Sequence, residues 1–521
     1  MSQVSSSRLT KDKPPFHVVL IALYGVENAG VRYLSSHLKK IGHQVSVVFF
    51  REWRNNNNTF PDETDCRLLK DLLTDIKPDL VGFSFVSSFL SPARHLTRLV
   101  KENTQTPVVW GGIHASTRWE ESLGDADFVI VGEGEDALGD LADALSARQK
   151  IHGIPNVGSV VDDRPVLTPV RNLIEDLNLL DLPDYGDEGK YLIDSGKLTT
   201  GDPARCGAEY RIYTSRGCPF RCAYCYNSIL GEIYRGKGRY YRHRSPGHVV
   251  EELARARETF PRLRRIKFDD DTAFGFGREW IEEFCSLYRK KVGLPFECMI
   301  HPRMLRRETL LQLKDAGLKK VQVGIETSSN REGEEFFNRS PQPERIMEFA
   351  RMNRELGLEV VYDAIIDNPG ATEDDRRQLF DFLLELPRPY KLYLYSLTVF
   401  PGTPLEKDLL ERGLISSAQI EGESRKGMTQ FRVSFDWPRP AREQFWLSLY
   451  SMASKSFISR KLLRKIAENQ NLMENPGVLI LAAKLANLLR MAGIGWDMFR
   501  AGELTWFKIR QYASLRKMIS Q

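Results

Sequence analysis

Three cysteines fall within eight residues, Cys218-Pro219-Phe220-Arg221-Cys222-Ala223-Tyr224-Cys225, and this run constrains the chain more than anything else in it. The chain has seven cysteines, an odd number that argues against a disulfide framework. It points instead to a reduced compartment, the cytoplasm, and to a metal site. Three thiolates on one short loop can each take one iron of a four-iron cluster, which leaves the fourth iron without a protein ligand. An open metal position is what catalysis needs, because a small molecule can coordinate there. The competing reading is a structural zinc site. It requires a fourth ligand, with Cys206 or His243 the nearest candidates, and a paired second knuckle that the sequence does not supply.

At 521 residues the chain exceeds one ordinary domain, and two to three are expected. Hydrophobic residues make up 42% and charged residues 27%, which excludes wholesale disorder. A net charge of +5 without a Lys/Arg block does not imply nucleic acid. Met1 to Pro15 is polar and reads as a disordered arm, not a secretory signal. The longest apolar-rich stretch, Val478–Leu489, is interrupted by Lys484 and Asn487 and is too short to span a bilayer.

Residues 16–147 alternate strands with helices. His17–Leu23, Gln44–Phe50, Leu80–Phe85, Pro107–Gly112 and Phe128–Glu133 read as strands, and Val31–Ile41, Cys66–Ile76 and Ala93–Glu102 as helices. Such repeats predict a doubly wound α/β domain with a parallel sheet, whose ligands bind beyond the carboxyl ends of the strands. Small residues stand at those ends: Gly25, Ser84, Gly111 and Gly112, and Gly132-Glu133-Gly134-Glu135. Residues 148–207 lose the rhythm and, with Pro155, Pro165, Pro169, Pro183 and Pro203, read as a long ordered linker. The alternation resumes over 208–424, with strands near Tyr210–Thr214, Arg265–Phe268, Pro295–Ile300, Lys320–Ile325, Glu359–Ile366 and Lys391–Thr398. These predict an open, partial (β/α)6 barrel, with the cysteine loop after its first strand, where barrels place their chemistry. Residues 425–521 read as a basic, aromatic helical region.

The spacing of Cys218, Cys222 and Cys225, with an aromatic residue before the last, resembles the radical S-adenosylmethionine superfamily. The resemblance implies a 4Fe-4S cluster on those cysteines, with S-adenosylmethionine chelated to the open iron and cleaved to a 5′-deoxyadenosyl radical. It places Tyr224 against the adenine and Glu326, which closes Val321-Gln322-Val323-Gly324-Ile325-Glu326, at the ribose hydroxyls. Arg303 in His301-Pro302-Arg303 is a looser match to a residue near the methionine carboxylate. Asp269-Asp270-Asp271 resembles an acidic turn of the subgroup, with a helix cap as the equal alternative. Asp367-Asn368-Pro369-Gly370-Ala371-Thr372-Glu373-Asp374 departs from the family's turn at Ala371 and is assigned a structural role.

A doubly wound domain ahead of such a barrel is similar to the cobalamin-binding class of these enzymes. The match rests on Asp79–Phe85, Val108–Ala115 and Phe128–Glu135, and the linker's Glu175-Asp176-Leu177 and Leu182-Pro183-Asp184 also recur in the subgroup. It implies cobalamin contacts from Gly25, Ser84, Phe85, Gly111, Gly112, His114, Gly132, Glu133 and Gly134. Mutases of the wider family carry Asp-x-His-x-x-Gly. The comparable turn here, Gly25-Val26-Glu27-Asn28-Ala29-Gly30, has Glu27 in the histidine's place, so cobalamin is expected without a histidine below the cobalt. His114 reads as a polar contact and not a cobalt ligand.

The function these resemblances imply is methyl transfer to an unactivated carbon, or to phosphorus, of a small-molecule or lipid-like substrate, through the adenosyl radical and methylcobalamin. A reductase, flavodoxin or ferredoxin would supply electrons. The alternatives are an oxidative cyclase or ring-rearranging enzyme with the same cofactors, as in chlorophyll-precursor ring closure, and a non-catalytic cobalamin-binding sensor. No second cysteine set suggests a methylthiotransferase. Trp437, Phe445, Trp446, Trp496, Phe499, Trp506 and Phe507 read as helix core before substrate pocket. Val478–Leu489, with Arg460, Lys461, Arg464 and Lys465 nearby, also suits contact with a membrane surface. Cys66, Cys285 and Cys298 read as buried small hydrophobes.

Overall fold

The computed structural model describes residues 16–53, 58–304, 306–420 and 433–500, the last ten of these by backbone only. The first sheet starts from β1 (His17–Leu23), whose seven residues are all buried. A strand with no solvent face must be covered on both sides, and helices do this here. β2 (Gln44–Phe50), β3 (Leu80–Ser84), β4 (Val108–Gly111) and β5 (Phe128–Ile130) complete the parallel centre. The last strand stops at Ile130, short of the expected Glu133, because the chain turns at Gly132 with φ of +84°. Asn28 caps the first helix, Ala29–Lys40, by accepting from the Val31 amide at 3.2 Å.

Residues 148–207, expected to be a linker, instead extend this sheet at both edges. β6 (Val157–Val161) and β7 (Arg164–Leu167) form a hairpin beside β5. β8 (Lys190–Asp194) pairs parallel with β2, and β9 (Lys197–Thr200) pairs antiparallel with β8. The sheet has nine strands in the order β7-β6-β5-β4-β3-β1-β2-β8-β9. Pro165 is tolerated because β7 lies at an edge. Both hairpins turn on two left-handed residues, Asp162-Asp163 and Ser195-Gly196. Arg32 fastens this stretch from beneath. Fully buried, it pairs with Asp202, donates to the Asp184 carbonyl at 2.9 Å, and lies 3.9 Å above the Tyr185 ring.

The second sheet holds β10 (Glu209–Ile212), then, after a two-residue ladder of β11 (Ser215–Arg216) with β12 (Arg242–His243), the strands β13 (Arg265–Phe268), β14 (Phe296–Ile300), β15 (Leu318–Glu326), β16 (Glu359–Ile366) and β17 (Lys391–Ser396). Six strands run parallel in the order β10-β13-β14-β15-β16-β17, the open arc expected. One face joins the covering helices in the core, through Tyr210, Ile266, Phe268, Cys298, Val321 and Val323. Alternate residues on the other face are charged and pair across strands, Arg211 with Asp269 at 3.3 Å and Lys320 with Glu297 at 2.7 Å, and along one strand, Lys267 with Asp269 at 2.6 Å.

Helix Ala441–Ala453 packs on helix Glu373–Glu385 and buries Phe445 and Trp446 in the same core, as the helical spacing predicted. The Trp446 indole donates to Glu373 at 2.9 Å. The side chains of Trp496 and Phe499, and all of Trp506 and Phe507, lie outside the described residues. Thr372 closes a capping box with Asp375, so the turn around Ala371 is a helix start. Cys66, Cys285 and Cys298 are buried and Cys206 is exposed.

Candidate active site between the two sheets

The carboxyl ends of the first sheet face the opening strands of the second across a cavity of about 950 Å3. That is near the upper end of the range for small-molecule and cofactor sites. Gly25, Ser84, Phe85, Gly111, Gly112, Gly132, Glu133 and Gly134 line one side, and Arg211, Tyr213, Arg216, Tyr240, Arg242 and Asp271 the other. Gly217, immediately before Cys218, and Asn227, two residues past Cys225, line it as well. The cysteine loop therefore borders the same space as the strand ends.

His114 does not line the cavity. It is buried, stacks on Phe85 with centroids 5.5 Å apart, and shares a 3.0 Å hydrogen bond with Ser87. Burial lowers its pKa to about 4, so it is neutral at neutral pH. The Glu133 side chain lines the cavity and is tied to its opposite wall. It faces Arg242 at 2.6 Å and Arg216 at 3.3 Å, while Arg216 also pairs with Glu135. The Glu133 amide donates to the Tyr234 hydroxyl at 2.6 Å. These contacts, with Arg118 to Glu406 at 2.7 Å, hold the two sheets at a fixed separation. None of Arg216, Tyr234 and Arg242 is marked out by a local sequence pattern.

Glu27 lines the cavity, and its Oε2 is buried without a partner. Burial raises its carboxyl from 4.5 to about 7, against the pull of Arg32 and Arg211 and with a push from Glu209 and Asp202. A carboxyl with a raised folded pKa favours the folded state below about pH 4.5, and that contribution is lost as pH climbs through 7. Glu27→Gln removes the loss. The cofactor-free variant should therefore match the parent at pH 4 and exceed it by about 1–3 kcal/mol at pH 8, measured by urea unfolding. Equal stabilities at both pH values would contradict this.

Cys222 is buried, and Cys218 and Cys225 are partly buried. Burial without a compensating cation pushes the Cys218 thiol up to about 12 and raises Cys225 as well. Two donors flank the sulfurs: Arg339 Nη1 at 3.8 Å from Cys222 Sγ and Asn227 Nδ2 at 3.7 Å from Cys225 Sγ. Among the described residues no three His, Cys, Asp or Glu side chains converge as ligands of a single ion. A four-iron cluster does not require that convergence, since each thiolate takes its own iron. Three thiols on one loop, one buried and two partly so, with N–H donors at two of the sulfurs, fit such a cluster.

Tyr224 packs edge-on to Phe337 at 5.2 Å, and Glu326 ends β15 in the left-handed region with φ of +61°. Few non-glycine residues adopt that backbone, and where they do the side chain is re-aimed at a site. Burial raises the Glu326 carboxyl, and the opposing charge is Arg339, 3.9 Å away. Arg339 also donates to the Gly324 carbonyl at 2.6 Å, so one guanidinium joins the cysteine loop to the end of β15. Sequence reasoning did not single out Arg339. Arg303 is exposed on the turn Pro302–Met304, with its amide on His301 at 3.2 Å. Asp270 is the carboxylate that builds the loop's entry, accepting from the amides and hydroxyls of both Thr214 and Ser215. Asp271 lines the cavity, and Asp269 belongs to the charged ladder.

The family model described as the Radical SAM superfamily matches residues 212–383, and that described as the B12 binding domain matches residues 17–142. An uncharacterized methyltransferase of Pyrococcus horikoshii is 26% identical over 393 residues, covering 74% of this chain and 79% of the relative. An anaerobic magnesium-protoporphyrin IX monomethyl ester cyclase of Rubrivivax gelatinosus is 28% identical over 58% of this chain, which spans about half (52%) of that relative. Among solved structures, the radical S-adenosylmethionine methyltransferase TsrM of Kitasatospora setae, with cobalamin and a [4Fe-4S] cluster bound, superposes with a TM-score of 0.60. It is 18% identical and covers 90% of this chain and 100% of its own, a likeness of fold.

Proposed function

From the premise that this chain is a radical SAM superfamily protein with an N-terminal B12 binding domain, we propose that it is a cobalamin-dependent methyltransferase acting on an unactivated carbon, or on phosphorus, of a small molecule. One observation carries the reading: a single cavity is walled both by the strand ends of the B12-binding sheet and by the flanks of the cysteine loop. When bound, cluster and S-adenosylmethionine supply hydrogen-atom abstraction, and cobalamin supplies the methyl group.

The chain's own residues hold and orient these groups. Cys218, Cys222 and Cys225 hold the cluster and leave one iron open to S-adenosylmethionine. Arg339 and Asn227 donate to the sulfurs and stabilise their negative charge. Tyr224 and Glu326 would hold the adenine and ribose of S-adenosylmethionine, with Arg339, 3.9 Å from Glu326, keeping that carboxylate in place. Gly25 faces open space on the cavity wall, where a Cβ would meet nothing within 4 Å, and so would let backbone approach the corrin, whereas Gly132 makes room for Tyr234. The ties from Glu133 and Glu135 to Arg242 and Arg216 keep both cofactor walls facing the same volume. A cytoplasmic reductase, flavodoxin or ferredoxin supplies the electrons, in a compartment where the thiols stay reduced.

The test feeds reduced, cofactor-loaded protein with S-adenosylmethionine deuterated in its methyl group, together with a small-molecule extract of the host cell. A product heavier than its substrate by one labelled methylene unit supports methyl transfer. The cyclase relative favours a second reading with the same cofactors. A product that has lost hydrogen or gained oxygen, without label, would select it.

A further inference from the structure

The terminal helix, Gly477–Arg500, shows two unlike faces. Leu479, Ala483 and Ala486 are buried toward helix Ala441–Ala453, and Asn487 bonds Ser451 Oγ at 3.1 Å. Lys484, on the flank, pairs with Asp436 at 2.6 Å. On the other side Val478, Leu481, Leu485 and Leu489 recur at steps of three and four. They stand 75, 59, 51 and 64% exposed, with Leu488 beside them at 48%. That spacing makes one continuous stripe with no charge in it. A lone exposed leucine needs no explanation, but five in one stripe mark a contact surface.

The charge of this region narrows the partner. Residues 456–521 hold 11 Lys and Arg against four Asp and Glu, a net of +7 in a chain whose whole is +5, while Lys455 just before them is buried. Two helices earlier, in Arg460–Ala467, the residues Lys461, Arg464 and Lys465 are exposed alongside Leu462, with Arg464 3.6 Å from Glu385. Among the described residues no helix is long and apolar enough to cross a membrane. We propose that the C-terminal helical region rests on an anionic lipid surface, with the 478–489 stripe at the acyl boundary and the surrounding Lys and Arg at the headgroups. This association is separate from the chemistry in the cavity.

Full-length protein is expected to sediment with vesicles of phosphatidylcholine mixed with phosphatidylglycerol, and to stay in the supernatant with phosphatidylcholine alone or in high salt. Leu481→Glu/Leu485→Glu and, separately, Arg464→Glu/Lys465→Glu should each cut retention roughly tenfold. All four side chains are exposed, so circular dichroism and retained iron should match the parent. No retention of the parent on anionic vesicles overturns the proposal. So does retention that neither pair of substitutions changes. A solution dimer that Leu481→Glu/Leu485→Glu converts to monomer, without vesicle binding, overturns it too and assigns the stripe to a second copy.

Discussion

Purified without oxygen, Cys222→Ala protein is expected to hold less than one iron per chain where the parent holds about four. Cys222 is the most buried of the three loop cysteines and the one whose sulfur faces Arg339. Removing it leaves two thiolates, too few to retain a cluster against loss of the corner iron. The fold should survive, since a free cysteine packs as a small hydrophobe and alanine keeps most of its contacts. Cobalamin should be retained as well, because the glycines of the first sheet do not depend on the cysteine loop. Cys206→Ala, at an exposed position, should match the parent in iron and in turnover. Zinc in the parent in place of iron would refute the cluster assignment outright.

The second large effect is expected at Gly132, and it should separate cleanly from the first. Gly132 has φ of +84°, and an added Cβ would stand 1.9 Å from the Tyr234 hydroxyl. The left-handed backbone costs alanine about 1–2 kcal/mol. Overpacking against a tyrosine that is itself held by the Glu133 amide adds about 1–3 kcal/mol. Gly132→Ala should therefore lose about 3 kcal/mol in urea unfolding and release cobalamin during gel filtration, while its iron stays near the parent's. Gly134→Ala, two residues on, meets nothing nearer than 3.4 Å and has no left-handed backbone to strain. It should be neutral within about 0.5 kcal/mol. Adding Tyr234→Ala to Gly132→Ala should recover part of the loss. If Gly132→Ala keeps its cobalamin, the turn does not set the spacing between the two sheets.

The fold was legible wherever burial imposed a period. β1 and β2 read as strands because nearly every side chain is inside, and β10, β13 and β14 because every second one is. Residues 148–207 escaped because edge strands carry weaker signals. β9 is exposed along its whole length and β7 contains a proline. The left-handed pair Ser195-Gly196 was the available clue to one hairpin. At the site, cysteines and strand-end glycines announce themselves because their chemistry is rare. Arg339 does not: it lies 13 residues past Glu326 and reaches Cys222 only after the chain has turned back on itself. The two glutamates of Gly132–Glu135 were recognisable as a motif, but their partners, Arg216 and Arg242, are defined by the packing of one sheet on the other.

The strand order has a consequence for assembly on the ribosome. The first sheet takes its last strand from residues 197–200, so the floor of the cavity is complete before any of the barrel has been synthesised. Its roof arrives with Arg216, Tyr234 and Arg242, and its outermost tie, to Glu406, nearly two hundred residues later. A nascent chain therefore passes through a stage in which the floor is formed and open to solution. The strand order lays that floor down as an uncovered surface, and the rest of the polypeptide then folds down over it.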